Sequence, residues 1–344
     1  MATISPAPRG GVSRTGGAAR RAVGMSAGLL FLALALFASV MFGSRTTSFG
    51  EVVDVLSGTA DAQLTAVVES RYPRTALGVL AGLALAVAGT LMQGVSRNAL
   101  AEPGLLGINA GASASIVTAT AFLGASGSTA AMWWALPGAL LAGVLVLAIG
   151  SGGSGRSQVR LVLAGAVLSA VLMAFIQAVT LTRPQVFDSY RYWVVGALGG
   201  RDFEVFRAML PFTCAGLLLA LVLARGLNAL ALGDATAAAL GARPWLVRSG
   251  GLLAATVLSA SATAAVGPIA FVGLAVPHVV RAVVGIDFHR QILFSCVAGP
   301  ALLLTADVVG RVVLRPQELM VGVVTAFVGA PALLVAVRRM RGNA

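Results

Sequence analysis

The sequence of 344 residues contains no lysine, two cysteines and two histidines, and only 10% of its residues are charged. Without lysine the chain cannot form a Schiff base or carry the phosphate-binding lysine of a Walker A loop. Cys214 and Cys296 both lie in apolar stretches, which argues against a metal cluster or a disulfide framework. Because soluble domains carry about 25% charged residues, this chain has too little charge to cover a surface exposed to water.

Apolar residues make up most of the chain. Hydrophobic residues account for 58% of it, and the mean hydropathy is +0.92. A helix that crosses a bilayer needs about 20 mostly apolar residues, and such runs occupy residues 22–44, 75–96, 161–182, 208–224, 291–310 and 319–337. Two longer runs, 103–155 and 249–280, are each interpreted as two spans because glycine and serine at 124–128 or Gly267-Pro268 interrupt them. The sequence therefore predicts ten spans.

The charges differ between the two sides of the predicted bundle. If the N-terminus is inside, the inner segments hold 15 of the 24 arginines and three acids, whereas the outer loops hold nine arginines and eight acids. Cytoplasmic loops retain an excess of positive residues, so both termini are predicted to be cytoplasmic. The net charge of +12 is explained as an orientation signal and requires no nucleic acid partner.

These patterns predict an all-α polytopic membrane protein with about ten transmembrane helices. A single ten-helix domain is expected at residues 22–338, with cytoplasmic tails at 1–21 and 339–344. Gly78 and Gly82, four residues apart, predict close packing between helices. The sequence has no Ser/His/Asp constellation, His-Glu-x-x-His motif or paired carboxylates, so a membrane enzyme is poorly supported.

Ionisable residues within or at the ends of the spans are candidates for function. Arg71 and Arg74 stand where the second span begins, where they could anchor to lipid phosphates or bind a partner. His278 lies near the inner end of the eighth span and Asp307 lies within the ninth. A proton relay and simple structural pairing are the two interpretations of these last residues.

The largest inner loop, residues 226–248, contains an alanine-rich segment that favours a short helix. Asp234 would charge the first turn of this helix, and Gly241 followed by Pro244 would end it. A weakly polar helix in a cytoplasmic loop is suited to docking with a partner, and an interfacial linker is the alternative.

Several motifs occur in a fixed order along the chain. The first half contains Arg71-Tyr-Pro-Arg74, Gln93 and Arg97-Asn-Ala-Leu-Ala-Glu-Pro-Gly-Leu-Leu-Gly107. The second half contains Gly267-Pro-Ile-Ala-Phe-Val-Gly-Leu-Ala-Val-Pro-His-Val-Val-Arg281, Asp307, Arg311, Glu318-Leu-Met-Val-Gly322 and Pro331. From Arg71 to Arg338 the chain resembles the FecCD family, the permeases of ATP-binding-cassette (ABC) importers for iron siderophores, haem and cobalamin.

The resemblance implies a fold of ten helices per subunit and an assembly with several partners. These are a second permease copy or a related permease, two cytoplasmic ATP-binding subunits and an extracytoplasmic substrate-binding protein. No cofactor is expected on this chain, since ATP and Mg would bind the partner ATPase. The missing Walker A lysine agrees with that division of labour.

The resemblance also assigns roles to individual residues. Docking of the binding protein falls on Arg71, Arg74 and Arg311. Coupling to the ATPase falls on Leu232, Gly233, Asp234, Ala237, Leu240 and Gly241. The other family motif positions in or near the spans are Gln93, Asn98, Pro103, Gly107, Pro277, His278, Arg281, Asp307, Glu318, Gly322 and Pro331. The chain departs from the family pattern at Ala99 and Met320, where prolines are usual.

The expected function is that of a transport subunit, not an enzyme. The chain would be the permease through which a ferric siderophore crosses the bacterial cytoplasmic membrane by alternating access. Cobalamin or haem is the alternative cargo of the same importer class. An ion-coupled secondary transporter is the alternative from another class, since broken helices and Asp307 are features that such transporters use.

Overall fold

The computed structural model describes residues 14–43, 45–125, 127–150 and 157–341, and within them the regular structure is helical. The helices in chain order are α1 (Arg14–Met41), α2 (Phe49–Ser57), α3 (Ala62–Glu69), α4 (Arg71–Ser96), α5 (Ile108–Leu123), α6 (Ser128–Gly150), α7 (Ser157–Thr182), α8 (Pro184–Val194), α9 (Phe203–Ala231), α10 (Asp234–Ala239), α11 (Pro244–Val266), α12 (Val272–Val284), α13 (Phe288–Val313) and α14 (Val321–Arg341). A 3₁₀-helix at Pro103–Leu106 precedes α5.

Seven of the described helices are long and apolar enough to cross a membrane: α1, α4, α6, α7, α9, α11 and α13. Three shorter apolar helices, α5, α12 and α14, complete the bundle. Each of the ten spans predicted from the sequence overlaps one of these helices. Part of the segment predicted as an N-terminal tail is helical, because α1 begins at Arg14, whereas residues 1–13 and 342–344 lie outside the described part of the chain.

The central helix of the bundle is α4, which packs against α9, α11, α12 and α13. Glycine permits the closest of these contacts. A Cβ atom on Gly82 would lie 2.7 Å from the backbone of Pro300, and one on Gly299 would lie 2.2 Å from the carbonyl oxygen of Gly82. The packing role predicted for Gly78 and Gly82 is confirmed, since Gly78 likewise faces Leu304 of α13 at a distance too short for a side chain.

The predicted break at Gly267-Pro268 is also present. Helix α11 ends at Val266 and α12 begins at Val272, so α12 has only 13 residues. Phe271 precedes α12 with a φ of +70°, and its N–H donates to Oε1 of Glu102 at 3.0 Å. Gly273 then lies against Gly89 of α4, where a Cβ on Gly89 would overlap the carbonyl oxygen of Gly273. The segment that carries Glu102 therefore ties the first half of the chain to the start of α12.

The bundle exposes apolar side chains over long helices. On α7, Val159, Leu163 and Leu181 are mostly exposed, and α1 similarly exposes Leu30 and Phe37. A helix that is apolar all round is stable in contact with lipid or with other apolar helices, but not with water. The surface therefore supports the prediction of a polytopic membrane protein.

The segments outside the spans differ in extent from the sequence-based expectation. Helix α9 continues to Ala231 and α11 begins at Pro244, so residues 232–243 connect them, a shorter segment than the predicted loop at 226–248. The segments predicted to be outer contain the short helices α2, α3 and α8. Helix α2 begins with a capping box, in which Glu51 N–H donates to Ser48 Oγ and Ser48 N–H donates to Glu51 Oε2. The hydrogen bond from the backbone N–H of Ser48, together with one from the Ser48 side chain, lowers the pKa of the Glu51 carboxyl.

Candidate functional site

Four charged side chains converge at one end of the bundle, and this group is called the outer cluster. Its members are Arg74 from the first turn of α4, Asp307 and Arg311 from the last two turns of α13, and Glu318 from the α13–α14 connection. Asp307 and Arg311 are four residues apart and therefore share one face of α13. The packing of α13 against α4 brings Arg74, which is 233 residues away in sequence, to the same point.

The outer cluster is an ion-pair network with Asp307 at its centre. Arg74 donates from Nε and Nη2 to the two carboxylate oxygens of Asp307 at 3.0 and 2.8 Å, and Arg311 Nη2 lies 2.9 Å from Asp307 Oδ2. Arg74 Nη1 also pairs with Glu318 Oε2 at 2.8 Å. The side chains of Asp307 and Arg311 are each 1% exposed. Paired, bidentate contacts are what stabilise charges buried to this degree.

Arg71 and Arg311 also donate hydrogen bonds to the end of α1. Arg71 Nη1 donates to the carbonyl oxygens of Val40 and Met41 at 2.7 and 2.8 Å, and Arg311 Nη1 donates to that of Ser39 at 2.9 Å. The last carbonyls of a helix have no partner within it and carry the negative end of the helix dipole. The two arginines therefore cap α1 and fix it against α4 and α13.

The docking residues predicted from the resemblance thus lie together, but they differ in access. Arg71, Arg74, Arg311 and Glu318 all line one small cavity of about 120 Å³. Arg71 and Arg311 are buried, whereas Arg74 is 13% exposed and Glu318 is 33% exposed. The charged atoms that a partner protein could reach first are those of Arg74 and Glu318. The docking assignment itself stays a prediction.

A second ion-pair network lies in the loop predicted to be inner, and this group is called the inner anchor. Asp234 Oδ1 pairs with Arg97 Nη2 at 2.6 Å and with Arg248 Nη2 at 2.8 Å. Arg97 also donates to the carbonyl oxygen of Leu230 at the end of α9. Because Arg97 follows α4 and Arg248 belongs to α11, the anchor ties α10 to three long helices.

The coupling segment predicted from the sequence contains the expected helix. Gly233 and Gly241 flank α10 with φ of +108° and +80°, a region that glycine adopts without strain. Ala237 packs inward, while Leu232 and Leu240 are 59% and 65% exposed. Leu232 and Leu240 therefore project away from the bundle, whereas Asp234 of the same segment pairs with arginines of the bundle.

Most motif positions in the spans have contacts between helices. Gln93 of α4 is buried, donates to the carbonyl oxygen of Leu274 at 3.3 Å and accepts from Arg281 Nη2 at 3.4 Å. Gly322 N–H donates to the carbonyl oxygen of Gly196 at 3.2 Å. These positions fix α12 and α14 against the rest of the bundle.

The remaining motif positions shape turns or lie at the surface. Pro103 is buried at the first position of the 3₁₀-helix, and Gly107, with a φ of +72°, is both the C-cap of that helix and the N-cap of α5. Asn98 Oδ1 accepts from the N–H of Leu100 at 2.9 Å. Pro277 is buried within α12, whereas Pro331 of α14 is exposed.

The proton-relay interpretation gains nothing from the geometry. His278 is exposed on α12, whereas Asp307 is buried between two arginines on α13. Structural pairing therefore accounts for Asp307. Among the described residues, no group of three or more His, Cys, Asp or Glu side chains could hold a metal ion.

A larger cavity beside the outer cluster was not predicted from the sequence. It measures about 650 Å³ and shares Arg74, Gly199, Gly200 and Glu318 with the smaller one. Trp193 at the end of α8 and Arg201 in the α8–α9 connection also line it. Burial lowers the pKa of the Arg201 guanidinium, an effect that the neighbouring Asp202 opposes. An isolated tryptophan and arginine have no distinctive spacing in the sequence, so no local pattern marked this site.

Comparisons with known proteins agree on one family. The sequence profile described as the FecCD transport family matches residues 31–339. The chain is 46% identical over 331 residues to the ferric enterobactin transport system permease protein FepD of Escherichia coli, covering 95% of this chain and 98% of that protein. It is 34% identical over 319 residues to the hemin transport system permease protein HmuU of Yersinia pestis, covering 91% and 94%.

A solved structure gives the same fold. It is described as an inward-facing conformation of a proposed metal-chelate type ABC transporter. The TM-score is 0.78 at 24% sequence identity, and the alignment covers 90% of this chain and 97% of that one. The arrangement of helices therefore matches that of a known transporter chain.

Proposed function

The chain belongs to the FecCD transport family, and from that premise we propose that it is the permease subunit of an ABC importer for a ferric siderophore. The identity of 46% to the ferric enterobactin permease over nearly the full length of both chains carries this proposal. Haem is the second candidate cargo, because the hemin permease is also similar over nine-tenths of the chain. A siderophore already satisfies the ligand shell of its iron, so the permease needs no metal site of its own.

The proposed assembly has ten spans per permease with both termini in the cytoplasm of a bacterial inner membrane. A second permease, two ATP-binding subunits and an extracytoplasmic binding protein complete it. The absence of lysine from the chain supports this assignment, since the Walker A loop must then lie on a partner.

ATP-dependent uptake tests the function directly. Proteoliposomes that contain the permease with its ATPase subunits should accumulate a ⁵⁵Fe-labelled ferric siderophore only when ATP and the loaded binding protein are supplied. A proton uncoupler should leave the uptake rate unchanged. Uptake that continued without ATP and stopped with the uncoupler would instead identify an ion-coupled secondary transporter.

The inner loop is the proposed contact with the ATPase. Leu232 and Leu240 present exposed apolar side chains, and the pairing of Asp234 with Arg97 and Arg248 would transmit movement of the loop to α4 and α11. Leu240→Asp should weaken co-purification of the ATPase, because a charged group would be buried in an apolar contact. Leu314→Asp is a matched control, since Leu314 is exposed on the opposite side of the bundle.

The outer cluster is the proposed contact with the binding protein. Arg74 and Glu318 are its accessible charges, and charges at the rim of an interface mainly set the rate and orientation of association. Glu318→Lys should therefore change the concentration of loaded binding protein needed for half-maximal ATPase stimulation. Glu204→Lys, a reversal of an exposed acid outside the cluster, provides the comparison. If both variants needed the same concentration of binding protein, the docking site would lie outside the outer cluster.

A further inference from the structure

Trp193 and Arg201, which line the larger cavity, each carry a buried hydrogen-bond donor. Nε1 of Trp193 and Nε of Arg201 are buried, and neither has a hydrogen-bond partner among the described residues. The whole Trp193 residue is only 4% exposed. Because a buried polar atom without a partner is destabilising, two of them beside one cavity point to an acceptor that the described part of the chain does not supply.

The cavity has the size and lining of a small-molecule site. Pockets for small ligands measure about 300–1,000 Å³ and combine mostly apolar walls with a few placed polar groups. This cavity measures about 650 Å³. Ile116, Trp134 and Leu198 contribute apolar surface to it. The polar groups are thus few and are concentrated at Trp193, Arg201 and the Arg74–Glu318 pair.

The charge of the wall favours an anion. Arg74 is neutralised by Asp307 and Glu318, whereas the electrostatic partner of Arg201 is the exposed Asp202. A guanidinium and an indole N–H are both donors only, so the complementary group must be an acceptor, and an anionic oxygen forms the stronger bond. The chelating groups of siderophores are catecholate, hydroxamate and carboxylate oxygens, and tricatecholate complexes of iron(III) are anionic.

We infer that this cavity is a vestibule in which Trp193 and Arg201 donate hydrogen bonds to anionic oxygen atoms of the ferric chelate as it leaves the binding protein. The inference rests on the proposed function. The position of the vestibule supports the inference, because Arg74 and Glu318 line both the vestibule and the cavity of the outer cluster. A binding protein docked at that cluster releases its ligand directly beside the vestibule.

Uptake and docking are measured separately to test the vestibule. The complete importer in proteoliposomes is supplied with a ⁵⁵Fe-labelled ferric tricatecholate on the binding protein. Trp193→Phe removes the N–H and keeps an aromatic ring at the position, and Arg201→Gln removes the charge. Each should lower the initial rate of uptake about tenfold, the loss expected for one hydrogen bond to a charged acceptor. Arg201→Lys should retain part of the rate, and Arg207→Gln, at an exposed arginine outside the vestibule, should retain all of it.

Stimulation of the ATPase by the binding protein identifies the source of the acceptor. Stimulation that stays normal while uptake falls supports the chelate as the acceptor and shows that the variant is assembled. A parallel loss of stimulation, with weaker binding of the binding protein, would assign the acceptor to a carboxylate of that protein and overturn the inference. Normal uptake in both variants would also overturn it. If the wild-type importer showed no ATP-dependent uptake, the proposed function would fail independently of these variants.

Discussion

The outer cluster and the inner anchor use the same chemistry at opposite ends of the bundle. In each, one aspartate lies between two arginines, with the shortest N–O distances between 2.6 and 2.9 Å. Their surroundings differ, since Asp307 is 1% exposed whereas Asp234 is 49% exposed. A third of the Glu318 side chain is exposed, which gives it an intermediate environment.

This difference in burial separates two uses of an ion pair. A buried charge that loses its partner leaves an uncompensated charge in a medium of low polarity, whereas an exposed pair contributes little to stability because water and salt screen it. The outer cluster therefore acts as a fixed joint between α1, α4 and α13. The inner anchor instead links α10 to α4 and α11 while contributing little to stability.

The largest effect is expected from Asp307→Ala. The substitution leaves Arg74 and the fully buried Arg311 without their shared carboxylate. Breaking a buried pair in this way destabilises by about 3–5 kcal/mol. The measurement is the free energy of unfolding in mixtures of detergent and SDS. A loss no larger than that of Asp234→Ala would show that burial does not distinguish the two networks.

The sequence indicated the members of the outer cluster but not their arrangement. The position of Arg74 at the start of a span and of Asp307 within one marks them as candidates, whereas Arg311 and Glu318 are indicated only by the family resemblance. Their pairing depends on the contact between α4 and α13, which no pattern within a single span encodes. The capping of α1 by Arg71 and Arg311 was missed for the same reason.

Local signals in the sequence were more informative for backbone features. Gly267-Pro268 marked the break before α12, and the alanine-rich stretch with Gly241 marked α10, because these residues act on their own backbone. Segment ends were less accurate, since α9 continues past the charged Arg225 to Ala231. A charge ends an uncharged run in the sequence but does not end a helix. The vestibule at Trp193 and Arg201 had no local signal at all.

An intermediate effect is expected from Glu318→Gln. It removes the charge that faces Arg74 Nη1 while the contacts between Arg74 and Asp307 remain. A partly exposed pair contributes about 0.2–1 kcal/mol, so the free energy of unfolding should fall by that amount. The same detergent–SDS unfolding experiment, run beside Asp307→Ala, measures it. A loss as large as that of Asp307→Ala would place Glu318 within the fixed joint.

Asp234→Ala should alter coupling more than stability. The pairs with Arg97 and Arg248 are exposed, so their loss should change the free energy of unfolding by no more than about 1 kcal/mol. The link from α10 to α4 and α11 is nevertheless lost, and the number of ATP molecules hydrolysed per chelate imported should rise. Uptake and hydrolysis measured in the same proteoliposomes give this ratio. An unchanged ratio would show that the anchor does not carry the coupling.

The smallest effect is expected from Asp287, the N-cap residue of α13. Burial alone would raise the pKa of Asp287, but hydrogen bonds from Asn228 and from the backbone N–H groups of Arg290 and His289 outweigh it, so the pKa lies below its ordinary value near 3.8. A carboxyl whose pKa is lower in the folded than in the unfolded chain adds stability above the unfolded value and loses it as the pH falls through the folded one.

The free energy of unfolding should therefore fall more between pH 6 and pH 3 for the wild type than for Asp287→Asn. The difference should stay under about 1 kcal/mol, because the Asp287 side chain is 37% exposed and water screens its interactions. Unfolding followed at several pH values in this range measures it, with Asp188→Asn as a control at a more exposed acid. Identical pH profiles for wild type and Asp287→Asn would show that the cap of α13 contributes no pH-dependent stability. Burial would then be the feature that separates stabilising carboxylates from the others in this chain, even where an exposed carboxylate accepts several hydrogen bonds.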